Sequence, residues 1–168
     1  MISRGKYLFL FVFLCVVSMS ACTQERQPCL TPTQSTLIAK AIHFKTPAAT
    51  TTTDTLLPNP VLGAITDSGN KYYLYSGTGT LKMWLSPLAD STRWLIEPDS
   101  MKAAPDTITF YYKRNLDFVS NACGYSYTYE LKSATSTHKF IDSLRIINPN
   151  VTTNVNTYHV EIYIHPGS

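Results

Sequence analysis

The chain has 168 residues, 44% of them hydrophobic, with 14 Lys and Arg against 11 Asp and Glu. Two of the basic residues, Arg4 and Lys6, belong to an N-terminal targeting pattern, which leaves 12 against 11. Such a balance gives no electrostatic footprint for nucleic acid or an anionic surface.

The targeting pattern comes first along the chain. Arg4 and Lys6 precede Tyr7–Val17, an almost unbroken apolar run, and Met19-Ser20-Ala21-Cys22 follows. The run is shorter than the roughly 20 residues that span a bilayer as a helix. Basic start, apolar run and small residues ending at a cysteine read as a bacterial lipoprotein signal, residues 1–21, cut before Cys22. Cys22 would then carry acyl chains; several chains hold a protein on a membrane stably, where one does so only marginally. An uncleaved anchor and a cleaved peptide without lipid are the alternatives. The remaining 147 residues suit one domain, able to bury roughly 70% of the surface of its unfolded chain.

Of four cysteines, Cys15 leaves with the signal and Cys22 takes the lipid. Cys29 and Cys123 remain, and in an oxidising envelope two leftover cysteines usually pair. In the chain-entropy model a bridge over so long a loop is worth on the order of 4–5 kcal/mol. Two buried free thiols are the alternative. With no Cys-x-x-Cys, two cysteines make a poor zinc site.

Residues 22–34 are polar, contain Pro28 and Pro32, and read as a tether. Residues 35–168 read as one domain of strands. The first is Thr36–Phe44, with Ile38, Ile42 and Phe44 on one face. The Thr-rich stretch Thr46–Thr55 has no apolar period and reads as an exposed loop. Val61–Thr66, Lys71–Tyr75, Leu81–Leu85, Arg93–Glu97, Thr107–Lys113, Gly124–Lys132, Lys139–Ile147 and Thr157–His165 follow. Alternation is clearest late in the chain, where Ile108, Phe110 and Tyr112 oppose Thr109 and Lys113. Tyr125, Tyr127, Tyr129 and Leu131 oppose Ser126, Thr128, Glu130 and Lys132, and core packing is expected of the three tyrosines. Val160, Ile162 and Ile164 oppose His159, Glu161, Tyr163 and His165. Turn residues lie between the strands, as in Asp67-Ser68-Gly69-Asn70 and Asn148-Pro149-Asn150. The pattern predicts an all-β fold, a two-layer antiparallel β-sandwich of immunoglobulin-like character, with a closed β-barrel as the alternative.

Phe118-Val119-Ser120-Asn121-Ala122-Cys123-Gly124, the Tyr-rich strand after it, and Phe140–Asn154 with its Phe-Ile-Asp-Ser and Asn-Pro-Asn-Val segments resemble a family of small Bacteroidetes envelope lipoproteins that carry a domain of unknown function. The similarity runs from about Cys29 to Tyr163 and is strongest after residue 106. It implies a mostly β envelope lipoprotein and supplies no activity. Surface-exported lipoproteins of that phylum tend to carry an acidic cluster after the cysteine. Here Thr23-Gln24-Glu25-Arg26 holds one acid, which points to an outer-membrane protein facing the periplasm.

No catalytic motif stands out: there is no Gly-x-Ser-x-Gly, His-Glu-x-x-His or Ser-x-x-Lys. His159, Glu161 and His165 share a strand face, but the two histidines would lie about 20 Å apart along it, too far to share a metal. An exposed polar face is the expectation, with no metal and no cofactor. Trp84, opposite Leu81, Met83 and Leu85, is the candidate platform for stacking a ligand such as a sugar ring, with core packing the plainer account of it. Six of the seven Asp are followed by Ser or Thr, where 37 Ser and Thr among 168 residues predict one or two. Five of the six continue with an apolar residue or Thr, which resembles the acceptor pattern of O-glycosylation in Bacteroidetes envelopes. The candidates are Thr55, Ser91, Ser100, Thr107 and Ser143, with Thr55 and Ser91 expected first. Turn and strand starts account for the same pairs without glycan. The function expected is a lipid-anchored envelope module that binds or supports envelope proteins or glycans, without catalysis. An envelope hydrolase or a carbohydrate-binding accessory is the alternative.

Overall fold

The computed structural model describes residues 28–29, 34–44, 52–75, 77–99, 104–153 and 156–164. Eleven strands are present among them: β1 (Thr36–Phe44), β2 (Thr52–Asp54), β3 (Val61–Thr66), β4 (Gly69–Leu74), β5 (Thr80–Trp84), β6 (Ser91–Glu97), β7 (Asp106–Ser120), β8 (Gly124–Ser136), β9 (Ile141–Ile146), β10 (Asn150–Val151) and β11 (Val160–Ile164). They form two sheets, and neither closes into a barrel. The all-β sandwich is therefore the architecture, and the barrel alternative falls.

In the first sheet β1 lies in the middle. One edge of it carries β5, from Thr36↔Trp84 to Lys40↔Thr80, and then β2, from Ile42↔Asp54 to Phe44↔Thr52. The other edge pairs with β11, and β11 pairs with β9. β1 and β11 run parallel, whereas every other strand pair is antiparallel. The first and last strands of the domain thus meet, a pairing that no local pattern encodes. The second sheet has the order β10-β8-β7-β6-β3-β4.

The core lies between the sheets. Leu37, Ala39, Ala41, Leu81, Met83, Val160, Ile162 and Ile164 from the first sheet meet Leu62, Trp94, Ile96, Ile108, Phe110, Tyr112, Tyr129 and Leu131 from the second. The expected core face of β1 is corrected here. Leu37, Ala39 and Ala41 face the core, while Ile38 and Ile42 lie on the outer face and are buried there. Tyr158 lies over that outer face, its ring under the Lys40 ammonium and its hydroxyl near Thr80 Oγ1. A strand buried on both sides carries apolar residues at both parities, so alternation cannot choose its inner face. The Thr-rich loop is corrected in part, because Thr52–Asp54 forms β2; residues 45–51 lie outside the described residues.

Two polar side chains fasten the ends of strands. Asp106 is fully buried at the start of β7. Its carboxylate accepts from the backbone N–H groups of Lys139, Phe140 and Ile141 at 2.8–3.0 Å, and from Thr137 Oγ1. Burial raises its pKa, but these donors outweigh burial and hold it below the usual carboxylate value. One side chain thereby fixes the corner between β8 and β9.

His159 is 0% exposed, which corrects the expected exposed polar face. Its ring Nδ1 accepts from the Ile38 backbone N–H at 3.0 Å, and its backbone N–H donates to the Ile38 carbonyl at 2.8 Å. Its carbonyl accepts from Ile147 and Asn148. It therefore joins β1 to β9 just ahead of β11. Its Nε2 is buried with no hydrogen-bond partner. Burial pulls its pKa below the ordinary value. A histidine that protonates less readily folded than unfolded weakens the fold as pH drops below about 6.5. Unfolding free energy measured from pH 7.5 to 5 is expected to fall through that range. His159→Leu should be less stable at pH 7.5 and show a shallower slope; an unchanged slope would contradict this assignment.

Candidate functional site

β7 and β8 form the longest hairpin of the fold, 15 and 13 residues, and they outrun the rest of their sheet. β6 stops pairing with β7 at Ser91↔Tyr111, and β10 meets β8 only at Glu130 and Tyr129. Beyond these points the ribbon projects, with Leu116 opposite Tyr127 and Phe118 opposite Tyr125. These four side chains continue the face that holds Tyr112, Tyr129 and Leu131 in the core. A bulge between Tyr111 and Tyr112 sets this up: β8 has one extra residue, Lys132, so Ala134 and Leu131 share a face despite opposite parity.

The expectation that Tyr125 and Tyr127 pack in the core is overturned. Tyr125 is 64% exposed, Phe118 58%, Leu116 55% and Tyr127 38%; only Tyr129 is buried. Beyond Tyr129 the inward face of the ribbon leaves the core between the sheets. Phe118 and Tyr125 meet edge to face, their centroids 5.4 Å apart.

The loop between β5 and β6 lies across the base of this ribbon. Tyr129 Oη donates to the Leu85 carbonyl at 3.1 Å. Tyr112 Oη donates to the Ser86 carbonyl at 3.1 Å and accepts from Ser86 N–H at 2.9 Å. Arg114 donates to the Pro87 carbonyl and to Asp90, both at 2.8 Å. Burial, then the neighbouring hydroxyls of Tyr112 and Tyr127, push the Tyr129 pKa up to about 12, so it remains a donor at any physiological pH. The loop is thus fixed at its stem while Leu88, at its tip, is 87% exposed. A groove of about 250 Å³ separates loop and ribbon, lined by Gln34, Leu85, Pro87, Tyr125 and Tyr127 among others.

Two residues that precede β1 are fastened to this same ribbon. Cys29 is bonded to Cys123 in the hairpin turn, with Cα atoms 4.9 Å apart. Ser35 Oγ then donates to the Tyr127 carbonyl at 2.6 Å. The expected pairing of the two remaining cysteines is present. Gly124, at φ 69°, takes the left-handed conformation that closes the turn beside it.

The other expected residues are dispersed. Trp84 is half-buried within a cluster of three rings, 4.9 Å from Tyr73 and 6.0 Å from Trp94. Its ring is partly buried and packs against the core from the edge strand. Thr55 and Ser91 are half-buried, as is Thr107 within β7, and Ser143 on β9 is exposed. Ser143 is thus more exposed than Thr55 and Ser91, the two expected first. Cys22, Ser100 and His165 lie outside the described residues. Several of the paired aspartates have structural partners: Asp54 binds Lys40 at 2.7 Å, Asp90 binds Arg114, and Asp106 holds its corner.

Among the described residues no group of three His, Cys, Asp or Glu side chains converges on a metal position. A groove of about 290 Å³ between β3 and the β5–β6 loop holds Asp67, Ser91 and Arg93 and is lined by no imidazole. The exposed aromatic ribbon is the feature that sequence reasoning missed. The signal was available: Tyr112, Leu116 and Phe118 keep one parity past Lys113, where the predicted strand stopped.

A family model described as a family of unknown function, DUF6452, matches residues 60–164. The chain belongs to this family. No curated protein and no solved structure matches it. The DUF6452 span contains the whole β7–β8 hairpin and Cys123. It begins after β1, β2 and Cys29, and later than the similarity expected from about Cys29.

Proposed function

We propose that this DUF6452 protein is a lipid-anchored module of a bacterial cell envelope that binds or supports other envelope components without catalysis. The lipoprotein signal carries this reading: Arg4 and Lys6, the apolar run Tyr7–Val17, and Met19-Ser20-Ala21 before Cys22. The Cys29–Cys123 bridge supports export, since structural disulfides persist in oxidising compartments. The segments after residue 117 that resemble Bacteroidetes envelope lipoproteins agree with it, and the single acid after Cys22 favours the periplasmic side of the outer membrane. O-glycan at an Asp-Ser or Asp-Thr pair belongs to the same reading, with Ser143 the exposed one among the candidates in the described residues.

Lipidation is read by detergent-phase partitioning of protein made in a host that processes lipoproteins. The wild-type chain should enter the detergent phase, and Cys22→Ser should move to the aqueous phase or remain unprocessed. Equal partitioning of the two would end the proposal. Intact mass from a native-type host reads the glycan: a mass of lipid plus polypeptide alone removes it.

A further inference from the structure

Five large apolar side chains, Leu88, Leu116, Phe118, Tyr125 and Tyr127, are exposed at one end of the sandwich. Isolated exposed apolar residues are ordinary, but contiguous groups mark a contact surface. Arg114 is the only charged residue on that face of the projecting ribbon; Asp117 lies on the opposite face, where it accepts from Thr128. Tyrosine and phenylalanine rings suit the boundary between lipid headgroups and acyl chains, where an apolar ring body and a polar tip are both satisfied, and Asp90, the acid beside Leu88 in the loop, is paired with Arg114.

The course of the chain selects the occupant. Cys29 is fixed to the hairpin turn by Cys123, and only seven residue steps separate it from Cys22. Fully extended, that segment spans at most about 25 Å. Acyl chains on Cys22 would therefore keep this end of the domain within about 25 Å of the bilayer.

We propose that the tip of the β7–β8 hairpin, with Leu88, is a second membrane contact that inserts into the interface of the bilayer anchoring Cys22. It rests on lipidation of Cys22. The contact orients the domain with the hairpin towards the lipid and the opposite strand ends outwards. Leu74 marks those opposite ends: it pairs with Val61, Val61 with Glu97, and neighbouring Ile96 with Asp106 at the start of β7.

The test uses the full, processed chain in phosphatidylcholine vesicles whose acyl chains are brominated, which quench tryptophan in contact with them. Phe118→Trp and Leu74→Trp are each read as difference emission against the unsubstituted chain, with flotation of the vesicles measured in parallel. Both positions are exposed, so near-unchanged circular dichroism is expected. Trp at 118 should shift to shorter wavelength and lose most of its emission, and Trp at 74 should not. Adding Tyr125→Glu to Phe118→Trp should restore emission while the protein still floats. Flotation with no quenching at 118, or with equal quenching at both positions, overturns the hairpin contact and leaves the anchor standing. Failure to float overturns the anchor and the hairpin contact with it. Crosslinking from position 118 to a protein in cells, without quenching, would assign the patch to that partner instead.

Discussion

A polypeptide of residues 60–164, the span shared with the family, is expected not to fold. It lacks β1, the strand at the middle of the first sheet. Without it, β11 and β5 lose their common neighbour, and two open edges face each other across a gap. Leu37, Ile38 and Ile42 are at most 4% exposed. Burying side chains of that size contributes about 1.5–3 kcal/mol each, and a whole domain is stable by only about 5–15 kcal/mol. Losing three of them, two flanking ladders and the Ile38–His159 bonds removes most or all of that margin. Circular dichroism and a cooperative melt would show it: residues 34–168 should melt cooperatively even without Cys29, and 60–164 should not. A cooperative melt of 60–164 would mean that β1 is an accessory strand.

Asp106→Ala should be the most damaging single substitution of a polar residue. It leaves the N–H groups of Phe140 and Ile141 buried without acceptors and also releases Lys139 and Thr137. Each unsatisfied buried donor costs about 1–3 kcal/mol, so a loss of about 3–5 kcal/mol is expected. Asp106→Asn keeps one acceptor oxygen and should fall between the two. The sign of the pH effect follows from the lowered folded-state pKa. The contribution of Asp106 is complete above the unfolded carboxylate value, near 3.9, and is lost as pH falls through the lower folded value. Chemical denaturation from pH 6 to pH 2.5 should show a flatter acid limb in Asp106→Asn than in wild type. Parallel limbs would show that the carboxylate is not ionised in the fold.

Local pattern reached far into this fold. Period-two alternation is a property of the backbone, so Thr36–Phe44 and Val61–Thr66 were legible to the residue. So was the buried face Val160, Ile162 and Ile164, because β11 is apolar at one parity only. The pairing of Cys29 with Cys123 followed from elimination and compartment, with no geometry needed. Tertiary structure decided what alternation leaves open. It chose the inner face of β1, whose apolar residues occupy both parities. It set β1 parallel to β11 across more than 110 residues of intervening chain. It buried His159, a polar residue by type, because Ile38 N–H needed an acceptor at that point. The aromatic ribbon shows the division most clearly. The sequence by itself determines that Tyr125, Tyr127 and Tyr129 share a face. Whether that face is core or surface depends on how far the opposing elements reach, and here burial ends between Tyr129 and Tyr127.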